Sequence, residues 1–185
     1  MANKVEFGIS QLHVGTYTES NGTVTLGTPY HQKGAVSFAP ETNSEQNTFY
    51  ADNIAYWSGY SGGTIEGDLE VAMFDDAFKT QFLGQRALAN GGLASVKNVI
   101  KPNVYIAFQV EGDAESRRVI LYNCSLGDIT REYNTIEESK EPTTETIPVT
   151  CTGDNDTGVT MAVYKPEDAG YATLFTAPAA PAFEE

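Results

Sequence analysis

Between Thr64 and Met73 the chain alternates strictly. Ile65, Leu69, Val71 and Met73 fall on one side; Thr64, Glu66, Asp68, Glu70 and Ala72 fall on the other. Only an extended strand sends every second side chain to the same face, so this stretch predicts a strand with one side on a core. Its other side is a row of three carboxylates, Glu66, Asp68 and Glu70. A chain built around such a strand needs further strands to pair with it, and the sequence supplies them.

Val5, Phe7 and Ile9 share one parity, whereas Leu12 and Val14 share the other, a phase slip that predicts a bulge near Ser10. Asn21-Gly22 lies between two short β-forming runs and predicts a tight type I′ hairpin turn. Val36 and Phe38 mark a short strand, and the polar stretch from Pro40 to Asn47 reads as an exposed loop containing Glu41, Asn43 and Glu45. Phe49 to Trp57 reads as an aromatic strand buried on one side, followed by a turn at Gly59–Gly63. Asp75-Asp76 opens the one convincing helix, with Phe78 and Phe82 four apart for packing on a sheet and Gly84 placed to end it. Strands resume over Asn103–Val110, Arg117–Leu126 (apolar on both faces, hence central), Ile147–Cys151 and Val159–Tyr164. Asp128 to Glu145 reads as an extended hairpin or mobile acidic arm, including Arg131, Glu132, Glu137, Glu138 and Glu141. The reading is one mainly β domain over residues 1–176, a β-sandwich or partial barrel with one helix, and an Ala/Pro-rich extension over 177–185.

Length and charge narrow the function. A chain of 185 residues removes roughly 70% of its unfolded surface from water and needs no metal or disulfide staple. Its formal net charge of −14 excludes a bulk basic footprint for nucleic acid and adhesion to an anionic membrane. No apolar run approaches a membrane span, and the opening residues do not read as a signal peptide. Cys124 and Cys151 are too few for a disulfide framework and fit synthesis in a reducing cytoplasm.

Motifs for chemistry fail one by one. Gly59-Tyr60-Ser61-Gly62-Gly63 matches a nucleophile elbow in letters, but a strand follows it and both histidines, His13 and His31, come earlier in the chain. Asp154-Asn155-Asp156-Thr157-Gly158 resembles the start of a calcium loop without its sixth-position glycine or final glutamate, and reads as an Asx turn. No spacing predicts a metal site, a cofactor or an enzyme. Two alternatives stay open. A monomeric carbohydrate-binding or adhesion module would use Tyr56, Trp57 and Tyr60 as a platform. A hydrolase would depend on Ser61 or Glu70.

Phe49-Tyr50-Ala51-Asp52-Asn53-Ile54-Ala55-Tyr56, then Gly67-Asp68-Leu69-Glu70-Val71-Ala72-Met73 and the Asp75–Gly84 helix, resemble a known family. So do the opening Asn3–Gly8, the strand from Val104 and the closing Ala169–Pro181. The family is the major tail protein, or tail tube protein, of long-tailed phages and prophages of Gram-positive bacteria, phi-thirteen type. The resemblance implies a structural virion protein assembling into stacked hexameric rings that carry the genome during ejection. It implies as partners further copies of itself, a tape-measure protein, a tail terminator, the baseplate or distal tail protein and assembly chaperones, with transient, non-specific passage of double-stranded DNA. Under it, Glu66, Asp68 and Glu70 are candidates to face the lumen, the alternative being that their sheet lies outside the tube. The Pro40–Asn47 segment and the acidic arm become candidate contacts between rings and subunits.

Overall fold

The computed structural model describes residues 8–112, 115–133, 135 and 142–183. The expected strand residues Val5 and Phe7 lie outside them, as do Glu137, Glu138 and Glu141 of the acidic arm. The described chain runs β1 (Gly8–Ser20), β2 (Thr23–Leu26), β3 (Tyr30–His31), β4 (Ala35–Phe38), β5 (Glu41–Ala51), β6 (Ile54–Val71), α1 (Asp76–Phe82), β7 (Arg86–Ala87) and β8 (Leu93–Ala94). It continues with β9 (Val104–Glu111), β10 (Arg118–Leu126), β11 (Thr130–Arg131), β12 (Glu145–Cys151) and β13 (Met161–Tyr164). All but β7 and β8 join one antiparallel sheet in the order β2-β1-β9-β10-β12-β6-β4, with β3 beside β1, β5 beside β6, β11 beside β12 and β13 beside β10.

The sheet curls without closing into a barrel. β3 lies on the outer side of β1 and β4 on the outer side of β6, yet the two are successive pieces of chain joined by residues 32–34. Both ends of the sheet therefore meet at Gln32. Its backbone N–H donates to the Leu12 carbonyl and its side-chain amide donates to the carbonyls of Lys33 and Met73. A buried amide is stable only where its polar atoms find partners, and here they bridge the seam.

The inner face of the curl carries the main core: Leu12, Val14, Ile65, Leu69, Val71, Val104, Ile106, Leu121, Ile147 and Val149. Helix α1 lies against it through Phe78 and Phe82, both fully buried, and Phe74 stacks on Phe78 at 4.8 Å between ring centroids. Asp75 precedes the helix without capping it through its side chain; its carboxylate accepts a hydrogen bond from Tyr30 instead. Gly84, at φ +66°, turns the chain away, and the Gln85 N–H donates back to the Lys79 carbonyl. On the outer face, a second cluster of Tyr17, Tyr105, Ala107, Ile120 and Tyr122 is covered by Leu174 of the C-terminal segment.

The phase slip in β1 is a bulge. Register shifts between Ser10 and His13, with Gln11 at φ 53°. Asn21 and Gly22 both have positive φ and join β1 to β2 in the expected tight turn. Four readings need correction. Glu41 to Asn47 is strand, not loop: both its faces meet solvent, so it has no apolar residues with which to show a period. Phe49 to Trp57 is not one buried strand but the tip of a hairpin, turning at Asp52-Asn53 with both residues at positive φ. Gly59–Gly63 is not a turn; it runs inside β6, paired to β5. Met73 leaves the apolar row, because β6 ends at Val71 and Phe74 takes the buried place. The cysteines also differ from expectation: Cys124 and Cys151 sit directly opposite on β10 and β12 and form a disulfide. Their spacing of 27 residues hid a pairing that only the sheet register creates.

Candidate functional site

β6 belongs to two structures. Ile65 to Val71 pairs with β12 on one side, with β4 meeting the end of this stretch on the other. From Ile54 to Thr64 its partner is β5. At roughly 3.3 Å per residue, this two-stranded arm extends about 35 Å. β4 and β5 follow one line along β6, broken at Ala39-Pro40, where proline offers no N–H. Gly67 lies beneath that break; a Cβ there would stand 2.5 Å from the Ala39 carbonyl oxygen.

An isolated hairpin is marginal in water, and this one exposes large apolar groups besides. Tyr56 and Tyr60 are each 73% exposed and Trp57 57%, with Phe49, Tyr50 and Ile54 also open. Phe49 and Trp57 are directly opposed and share one face, whereas Tyr60, paired with Gln46, points to the other. The aromatic surface is two-sided. The indole of Trp57 lies over Gly59, where a Cβ would come within 2.5 Å of the ring.

The acidic row sits at the root of the arm. Glu66 and Asp68 are exposed and Glu70 half-buried, while Ile65, Leu69 and Val71 opposite them are buried. Glu66 accepts a hydrogen bond from the Asn43 amide at 2.8 Å. Glu70 accepts from Thr144 at 2.6 Å and Ser37 at 2.8 Å, and these hydroxyls hold its carboxyl below the ordinary glutamate pKa. Glu41 stands directly opposite Glu66, so the face carries four carboxylates beside the hydroxyl-bearing Thr146 and Thr150 of β12.

Of the arm residues described, Glu132 is exposed, whereas Arg131 turns back to pair with Glu145 at 3.3 Å. Glu145, the last residue of the expected acidic arm, is buried. Its carboxylate accepts from the Phe74 N–H at 2.7 Å and from Lys79 at 3.3 Å, tying α1, β11 and β12 together. Three partners 14 to 71 residues away give no local signal.

The nucleophile-elbow match dissolves, since its letters lie within a strand. Asp154 forms an Asx turn, accepting from the Thr157 N–H and hydroxyl and from the buried Tyr17. Burial pushes its carboxyl up, but the bonds from Thr157 and Tyr17 outweigh that and hold its pKa below the ordinary aspartate value. Among the described residues no three His, Cys, Asp or Glu gather as a metal site, and no helix is long and apolar enough to cross a membrane.

The protomer is thus a curled antiparallel sheet with a hairpin that exposes aromatic side chains on both of its faces. The family model for phage tail tube proteins matches residues 2–168, and the chain belongs to that family. Among solved structures, the tube-terminating cap of the anti-feeding prophage superposes with a TM-score of 0.51 at 10% identity, over 88% of this chain and 95% of that one. A sheath/tube terminator of an extracellular contractile injection system gives 0.46 at 9% identity, covering 87% and 98%. The sheath–tube complex of that system gives 0.43 at 10% identity, covering 84% and 88%. No curated protein sequence matches the chain.

Proposed function

We propose that this chain is the repeating subunit of a long phage tail tube, six copies closing a ring and rings stacking into the conduit through which DNA leaves. Membership of the tail tube family makes it a structural tail component. The observation that carries the finer reading is the hairpin, whose two faces are both aromatic and both uncovered within one protomer. Inserted between neighbouring copies, it would bury both faces at once, and Glu41, Asn43, Glu45 and Asn47 of β5 would become part of that contact. Further along the sheet, Glu66, Asp68 and Glu70 would face the lumen. A basic lumen would hold phosphate through counterion release; an acidic one lets DNA slide. A tape-measure protein, terminator, distal tail protein and chaperones complete the expected partners.

The glycan-binding alternative is weakened by the same geometry, since Trp57 and Tyr60 point to opposite faces and cannot form one platform. Negative-stain electron microscopy of the purified protein, alone and with tail initiator proteins, tests the proposal. Six-fold rings or tubes are expected. A monomer under every condition, with saturable glycan binding, would overturn it.

A further inference from the structure

The C-terminal segment is held on the outer sheet face by a run of flat side chains. His13 of β1 is stacked between two rings, His31 of β3 at 4.6 Å and Phe175 at 4.5 Å, with interplanar angles of 11° and 12°. Arg118 of β10 then lies 4.2 Å from the Phe175 ring centroid and 4.0 Å from that of Tyr171. His13 is 8% exposed, and its Nδ1 is 2.7 Å from the Gln11 carbonyl. A carbonyl only accepts, so Nδ1 carries the proton and the neutral ring has its lone pair on Nε2.

We propose that this stack is a proton-operated latch: protonation of His13 releases the segment around Tyr171–Phe175 and uncovers the aromatic face beneath it. Among the described residues, the titratable and charged groups that act on His13 are His31 from β3 and Arg118 from β10, both basic. A second proton would therefore place a cation in a nearly buried site beside two basic groups. Attraction between a cation and the Phe175 ring offsets part of this cost. Burial, His31 and Arg118 together outweigh the Gln11 hydrogen bond, so the His13 pKa lies below the ordinary imidazole value. The sign follows. A depressed pKa stabilises the closed form above the ordinary value, and that stability is lost as pH falls through the folded one.

The segment, rather than β3, is the side that opens. β3 is fixed by its ladder to β1 and by Gln32. Among the described residues, the segment is bonded to β10 by Arg118, which donates to the Tyr171 carbonyl, and to the turn before it by the Tyr171 hydroxyl, which donates to the Ser116 carbonyl; Leu174 is buried. Opening would expose Tyr17, Tyr105, Ile120 and Tyr122.

Hydrogen exchange of the full chain from about pH 8 to about pH 5, corrected for intrinsic exchange, tests the latch. Protection over 170–177 should fall by about tenfold per pH unit between the free and folded imidazole values, with β9 and β10 unchanged. His13→Phe keeps a stacked ring that cannot protonate and should abolish the dependence. Protection retained to about pH 5, earlier opening of β3, or an unchanged profile in His13→Phe would each overturn the proposal. Should that variant not fold, the wild type decides by NMR. A shared midpoint for the His13 ring and the Phe175 amide supports the latch; midpoints more than about one unit apart end it.

Discussion

The carboxylate of Glu70 is held by two hydroxyls, Thr144 and Ser37, and its pKa is lowered because they bond the charged form. Its stabilising contribution is present above the unfolded value and lost as pH falls through the folded one. Thr144→Val removes the shorter bond, so the Glu70 carboxyl should titrate higher in a carbon-detected NMR titration. An unmoved midpoint would mean that Ser37 alone fixes the charge. The same-face spacing of Glu66, Asp68 and Glu70 was legible in the sequence because one apolar face stood behind it. The hydroxyls that pin Glu70 were not, lying 33 and 74 residues away.

Elements differ in what they need from their surroundings. Helix α1 is fixed within the protomer by Phe78 and Phe82. Phe82→Ala should cost about 3–5 kcal/mol, read as a lower denaturant midpoint at unchanged m. The hairpin is the opposite case. Trp57→Ser with Tyr60→Ser removes exposed groups and should shift stability by about 0.5 kcal/mol or less per site, yet abolish assembly in sedimentation. Loss of stability with assembly intact would reverse these roles. The contrast also explains what the sequence disclosed. The β1 bulge and the Asn21-Gly22 turn are local events, written in parity and in a dipeptide. The arm of β5 is solvated on both sides in the protomer, so nothing in it alternates, and strand chemistry there looks like a loop.

At the scale of the molecule, a charge of −14 sets copies of the chain against one another. Raising ionic strength from about 0.01 M to about 0.15 M shortens the screening length from about 30 Å to about 8 Å, so assembly should begin at lower protein concentration. Light scattering across a salt series measures this; onset at higher concentration would mean that attractive ion pairs dominate the contacts.

The seam at Gln32 bears on mechanics. A closed barrel is a hoop whose circumference is set by its ladders. Here the two ends of the sheet meet through residues 32–34, with Gly34 at φ +82° and one amide side chain across the gap. The hoop has a clasp. If the proposed tube is built of such units, its wall would flex by changing the curvature of each one, without parting any strand from its neighbour.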